Sequence, residues 1–446
     1  MVFGCFVLNK IKELKKHSGF MKYFKNTSWL FGEKMLRMVI GLFIEVWVAR
    51  YLGPEQFGLF SYAGSFVAIF TIIATMGIDG ILVRELVKDE KSTNELLGTA
   101  FWIHIVGAIL VFIVLTMVIY FVPSHDYNTN VLIYIMTSAT IFHSFSVIDT
   151  YFRAKVSSKY IMYASTATIL IISSVKILLI IYKAPLIYFA WVIVFQSIVL
   201  ACSLLYFYYK NNFSVMDWSF DIGKAKQLLR DGWPLILSGV VTAIYMNTDR
   251  IMIKELIDIE SVGQYAAASK ISAAWYFIPM IISSSLFPAI IKSKQQGEQL
   301  YYNRLQKLYD LVVLIAFFIA LPITFLSGWI IDLLYGNAYA GASDVLVIHI
   351  WTGIFIALWV VASKWFTIEN YLQNVMVRTL MGAILNIVLN FILIPRYGVV
   401  GAAWGTLLSY IFINYLSMFF FKKTRVCFYQ QSKALNIFMS IKRLGL

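Results

Sequence analysis

From residue 27 onward the chain alternates between long apolar runs and short polar breaks rich in Lys and Arg. A helix needs about 20 mostly apolar residues to cross the hydrocarbon of a bilayer. Segments 27–49, 57–81, 97–122, 131–152, 160–182, 185–209, 232–254, 263–288, 306–331, 343–367, 373–394 and 399–421 meet that requirement. The pattern therefore predicts an all-α polytopic membrane protein with about 12 transmembrane helices. Gly and Pro delimit the segments most sharply at Leu52-Gly53-Pro54, Val122-Pro123 and Ile394-Pro395. No break is long enough for a folded domain outside the membrane. The longest, 210–231, contains Ile222 to Arg230, which reads as a short basic amphipathic helix on the membrane surface. The expected organisation is a basic N-terminal segment (1–26), a six-helix bundle (27–209), a linker (210–231), a second six-helix bundle (232–421) and a basic tail (422–446).

Composition agrees with the pattern. Apolar residues make up 60% of the chain and charged residues 13%, whereas a soluble domain carries roughly a quarter charged residues. The net charge of +14 would suggest nucleic acid in a soluble protein. Here the basic residues sit in the breaks, where they set orientation, so no nucleic-acid partner is expected. Counting from an inside N-terminus, one side collects Lys10 to Lys25, Arg84, Lys88, Lys91, Arg153, Lys155, Lys159, Lys210, Lys224, Lys226 and Arg230. It also collects Lys292, Lys294, Arg304, Lys307, Arg378 and the tail. The other side holds Arg50, Lys183, Lys254 and Arg396. Both termini are expected in the cytoplasm and the protein in the bacterial inner membrane. The apolar stretch Val2–Leu8 precedes the lysines, the reverse of a signal peptide. Cys5, Cys202 and Cys427 form no CxxC pair, and the five histidines (17, 104, 125, 143, 349) have no ligand spacing. Neither a metal nor another cofactor is expected. No GxxxxGK[ST] run is present, which argues against direct use of ATP.

Sliding the sequence so that Glu55 falls on Glu260 also brings Gly58 onto Gly263 and Ala63 onto Ala268, with Phe57/Val262 and Phe60/Tyr265 similar. Both stretches lie where the first segment of a half turns into its second. Each half starts on the same side, so the repeat is parallel, with an axis along the membrane normal.

The turn Ala49-Arg50-Tyr51-Leu52-Gly53-Pro54-Glu55-Gln56-Phe57-Gly58 resembles the signature turn of the polysaccharide transporter family, the Wzx-type O-antigen flippases. Thr248-Asp249-Arg250-Ile251-Met252-Ile253 with Val262-Gly263-Gln264-Tyr265-Ala266-Ala267-Ala268, and Tyr397-Gly398-Val399-Val400-Gly401-Ala402-Ala403, are similar to two further elements of that family. The resemblance runs from about residue 25 to the end; Gln264 departs from it, standing where a small apolar residue is usual. It implies two six-helix bundles facing a central cavity, no catalytic activity, and export of undecaprenyl-pyrophosphate-linked oligosaccharide repeat units. A polysaccharide polymerase and a chain-length regulator are the partners it suggests.

A charge at membrane depth costs several kcal/mol, so each is a functional candidate. Lys34, Asp79, Asp149, Lys364 and Glu369 lie near segment ends and can snorkel, and Glu33 and Arg37, four apart, can pair. Glu45, Lys176, Asp249, Arg250 and Lys270 lie deeper, with Glu45 and Arg250 at corresponding positions of the repeat. A pyrophosphate needs cationic partners, and Arg offers a bidentate fork. Arg250, Lys270, Lys176 and Arg37 are therefore the candidates for binding the cargo. Glu45, Asp249 and Glu33 are the candidates for pairing or for coupling to H⁺ or Na⁺. Tyr245, Asn247, Trp275 and Tyr276 can contact sugars, although packing is the commoner use of such residues.

Competing expectations are a lipid II flippase, which commonly has two extra helices, and a multidrug antiporter, which would favour acidic cavity residues. A membrane O-antigen polymerase would need a long outward loop rich in Arg, and every outward loop here is short.

Overall fold

In the computed structural model the described residues are 18–121, 126–371 and 373–445, with side chains omitted at 18–31, 33, 34, 373 and 374. The expectations for the first 17 residues and for Val122-Pro123 lie outside them. The described residues contain no strand. In chain order the helices are α1 (Ser18–Ala74), α2 (Asp79–Lys88), α3 (Thr93–Phe121), α4 (Tyr127–Phe142), α5 (Ser146–Ala154), α6 (Lys159–Ile181) and α7 (Leu186–Lys210). They continue as α8 (Ile222–Leu256), α9 (Ile259–Ala273), α10 (Phe277–Gln296), α11 (Glu298–Tyr335), α12 (Ala342–His349) and α13 (Thr352–Ile368). Last come α14 (Gln373–Ile411), a π-turn at Phe412–Leu416, α15 (Ser417–Phe420), α16 (Arg425–Leu435) and α17 (Ile437–Leu444).

Among the described residues nine helical stretches are long and apolar enough to cross a membrane. Two of them, Met35–Lys88 with 54 residues and Val375–Phe420 with 46, are about twice the length one crossing needs. Each is a pair of crossings folded about a glycine. Gly53 has φ 73° and Gly398 φ 61°, in the left-handed region that glycine enters without steric cost. Pro54 and Pro395 lie beside the breaks and lack the N–H that would continue the ladder. α8 supplies the remaining crossing; Asn247, Asp249, Arg250 and Lys254 make it less apolar than the nine.

Two glycines record the internal repeat in three dimensions. A Cβ on Gly58 would strike the carbonyl of Ile259, and one on Gly263 would strike the carbonyl of Pro54. The repeat carries Gly58 onto Gly263 and Pro54 onto Ile259. Each copy of the turn therefore presents the same glycine to the same backbone position of the other, the signature of a twofold relation. Small residues permit this backbone approach inside a membrane.

The chain forms two compact units that interleave in sequence. One contains the residues up to Glu45 and Val67–Val240; the other contains Val46–Phe66 and everything from Val241. In the first unit, Ile78, Leu82, Leu97, Ile148, Tyr208 and Leu228 belong to one buried core. The basic helix expected at 222–230 forms, but it does not end at the surface. It continues into the next crossing as the first turns of α8, because Ala225 and Leu228 are buried in that core and Arg84 holds Asp231 at 2.6 Å.

In the second unit the tail is a packed element. Asp310 of α11, with a fully buried side chain, takes both guanidinium contacts of Arg443, at 2.7 and 2.8 Å, and further bonds from Ser440 and Gln306. These bonds raise the affinity of the Arg443 guanidinium for its proton above the ordinary value. Gln306 and Gln430 each donate across to the other element's backbone, at 3.0 Å. Arg443→Ala strands a buried carboxylate, which costs about 3 kcal/mol. We expect that variant to release α16 and α17 to limited proteolysis while the membrane helices stay protected.

Candidate functional site

A buried polar cluster of the second unit is centred on Asp249, 5% exposed on α8. Four side chains donate to its carboxylate: Asn386 and Asn390 Nδ2 to Oδ1 at 3.1 and 2.7 Å, and Tyr265 and Thr406 hydroxyls to Oδ2 at 2.6 and 2.7 Å. Among the described residues no Lys or Arg lies within ion-pair distance of it. A buried carboxylate without a counter-ion persists only when dipoles replace its hydration.

The break in α14 assembles these donors. Asn386 and Asn390, four apart, lie on one face of its first arm, and Thr406 lies on the second. The fold at Gly398 turns the arms back on each other. Gly405 and Gly401 let them close: a Cβ at 405 would meet Asn390 Oδ1, and one at 401 the carbonyl of Leu393. Tyr265 arrives from α9, its ring packed edge-on against His349 with centroids 5.7 Å apart. Asn390 Oδ1, His349 Nδ1 and the Tyr245 hydroxyl have no hydrogen-bond partner.

Arg250 leaves α8 about 100° away from Asp249. Its guanidinium donates to Ser65 Oγ at 3.1 Å and Ser269 Oγ at 3.4 Å, and Nε is unpaired. Lys270 follows Ser269 on α9, with Nζ 5.6 Å from the centre of the Phe57 ring. The structure thus brings two of the four cargo candidates, Arg250 and Lys270, to the second arm of α1.

The other two lie in the first unit. Lys176 is half-buried on α6. Arg37 lines a cavity of about 240 Å³ with His143, Asp149, Arg153, Ser165 and Ser197. Glu45 is half-buried on α1 in that same unit, and the side chain of Glu33 lies outside the described residues.

Several other charges have local partners. Asp149 pairs with Arg153 through two bonds, at 3.0 and 2.6 Å, and Glu369 with Lys294 at 2.6 Å. Arg378, expected among the orienting loop cations, is instead 1% exposed. It donates to Ser417 Oγ and the Ile413 carbonyl under the rings of Trp359 and Phe366. Tyr276 is hydrogen-bonded to Ser272 and Thr352, and the Trp275 ring lies against Gly353, so both pack between helices.

This arrangement is known in solved structures. A multidrug resistance MATE family transporter in an inward-facing conformation superposes with a TM-score of 0.71 at 12% identity, covering 90% of this chain and 95% of that one. Lipid II flippase MurJ, inward closed, gives 0.68 at 18% identity over 95% of this chain and 93% of its own. What these likenesses share with the chain is the fold, an all-helical membrane-protein architecture. The family model described as "Polysaccharide biosynthesis protein" matches residues 23–294, more than half of the sequence, and the chain belongs to that family. The MatE model matches 234–392. The chain is 20% identical to the capsular polysaccharide biosynthesis protein CapF of Staphylococcus aureus, over 90% of this chain and 99% of CapF. It is 26% identical to the probable flippase AglR of Haloferax volcanii, over 85% and 79%. A putative O-antigen transporter of Shigella dysenteriae is 24% identical, over 44% and 48%.

Proposed function

We propose that this protein is a flippase. It moves undecaprenyl-pyrophosphate-linked oligosaccharide repeat units of a surface polysaccharide from the cytoplasmic to the periplasmic leaflet by alternating access. Its partners are that lipid-linked oligosaccharide, the surrounding membrane lipids and, downstream, a polymerase with a chain-length regulator. It sits in the inner membrane with both termini cytoplasmic, as the distribution of Lys and Arg supports.

The observation that carries the reading is the state of Arg250. Its guanidinium at membrane depth is satisfied by two serine hydroxyls, with no carboxylate among its bonds and Nε left over. Neutral hydroxyls yield readily to a pyrophosphate, which offers charge and bidentate geometry together. Lys270 stands beside it. Relatives named as an O-antigen transporter and as flippases support the cargo class. The same multidrug transporter fold solved in an outward-facing conformation also superposes, at a TM-score of 0.56, which supports alternating access. Asp249 is the coupling group in this reading. A carboxylate surrounded by amides and hydroxyls binds a proton directly, or Na⁺ once the amides turn their oxygens inward.

Arg250→Ala is expected to stop export while the protein stays in the membrane. Gel analysis should show loss of long-chain polysaccharide, and lipid extraction should show accumulated single repeats. A wild-type ladder in that variant would remove Arg250 from the reading. The MatE match favours a cation-coupled multidrug antiporter as the second reading. Deletion of the gene separates the two: new drug sensitivity with unchanged polysaccharide supports the antiporter.

A further inference from the structure

The first unit holds a buried titratable group that the proposed function leaves unused. His104, on α3, is 1% exposed; the backbone of Thr75 and of Ser144 lies beside its ring, and among the described residues no side chain hydrogen-bonds to it. Burying a polar group that is incompletely paired costs about 1–3 kcal/mol. Asp79, at the start of α2, is the carboxylate it meets, with Oδ1 3.6 Å from His104 Nε2. The two differ in access: the Asp79 side chain is 51% exposed and that of His104 2%. The imidazole is closed off, and the carboxylate beside it is open.

The titratable and charged groups around the pair come from two further elements. His143, on the three-residue turn after α4, acts on His104; Asp149 and Arg153, on α5, act on Asp79. Backbone comes from Thr75, just after α1, and from Ser144 on the turn with His143; Ile73 and Ala74 of α1 lie beneath Gly107. His143, Asp149 and Arg153 also line the cavity of about 240 Å³ beside Arg37. A cavity of that size has room for several waters, which would give protons a route to the cluster.

We propose that His104 and Asp79 form a protonation site within the first unit, separate from Asp249, with His143 passing protons between it and that cavity. A proton from water adds to Nε2, and no other bond forms or breaks. It turns a contact too long for a hydrogen bond into a charge-assisted N–H···O bond, drawing α2 against α3. An unperturbed histidine titrates near physiological pH, and the Asp79 carboxylate is the group that offsets the burial of this ring. The site does not depend on what the transporter carries.

The test follows the histidine directly. Full-length protein labelled with ¹⁵N at histidine, held in lipid nanodiscs without cargo, is titrated by NMR between about pH 4 and 8. One resonance, absent from His104→Gln, should titrate. Asp79→Asn removes the anion that favours imidazolium, so it should lower that group's proton affinity about tenfold. His104→Gln and Asp79→Asn should also flatten the pH dependence of polysaccharide export. A His104 resonance that does not titrate, or one that Asp79→Asn leaves in place, overturns the proposal. If His104→Gln fails to accumulate, Asp79→Asn decides alone, because its open side chain changes no core packing.

Discussion

Asp249→Leu is expected to abolish transport and to lower stability by about 3 kcal/mol, because it strands buried donors without an acceptor. The amides of Asn386 and Asn390 lose their shared acceptor, and the Tyr265 and Thr406 hydroxyls keep only each other, 3.0 Å apart. Asp249→Asn separates charge from packing. It preserves volume and one acceptor oxygen, so we expect it to unfold within about 1.5 kcal/mol of the parent. If the carboxylate is the coupling group, Asp249→Asn still fails to export. Thermal unfolding in detergent and polysaccharide gels on the same membranes check both statements. An Asp249→Asn strain with a normal ladder would make the carboxylate a structural clamp across α8, α9 and α14, with no role in coupling.

Gly58→Val and Gly263→Val should each cost about 3 kcal/mol and reduce export sharply, since the added carbons meet backbone that has no rotamer to change. Their combination is the informative variant. Both side chains enter one reciprocal contact, so whatever separation the first forces also relieves the second. The double variant should cost less than the sum of the singles by about 1 kcal/mol or more. Strict additivity, measured by unfolding in detergent, would mean that the two clashes are independent and that the turns are not locked by a shared twofold contact.

The crossings, their number and the pairing of Gly58 with Gly263 were legible because each depends on local length, apolarity or repetition. Asp249 and Arg250 stood out for a similar reason, being charges in an apolar run. Their surroundings were harder to read. Asn386 and Asn390 did leave a signal, two amides four apart in an otherwise apolar segment, which places them on one helix face. Nothing local connects them to Asp249, whose sequence distance to Asn390 is 141 residues. Arg378 misled because a cation near a segment end looks the same whether it orients the helix or stacks beneath Trp359 and Phe366. The start of α8 misled because Ala225 and Leu228 are too few to distinguish a membrane-surface helix from one buried against protein. Asp79 stood out only as a charge able to snorkel and His104 only as a histidine without ligand spacing; their approach across two helices is what pairs them.

The bond between Asp310 and Arg443 spans 133 residues, which gives it a consequence during synthesis. Ribosomes add about 5–20 residues per second, so α11 waits roughly 7–27 s in the membrane before its partner exists. During that interval Asp310 is a carboxylate without its cation, near the start of a crossing already being inserted. Termination before codon 443 would leave it so for good. The last turns of the chain therefore complete a helix laid down long before, and a stop codon just short of Arg443 should be as harmful as a lesion in the core.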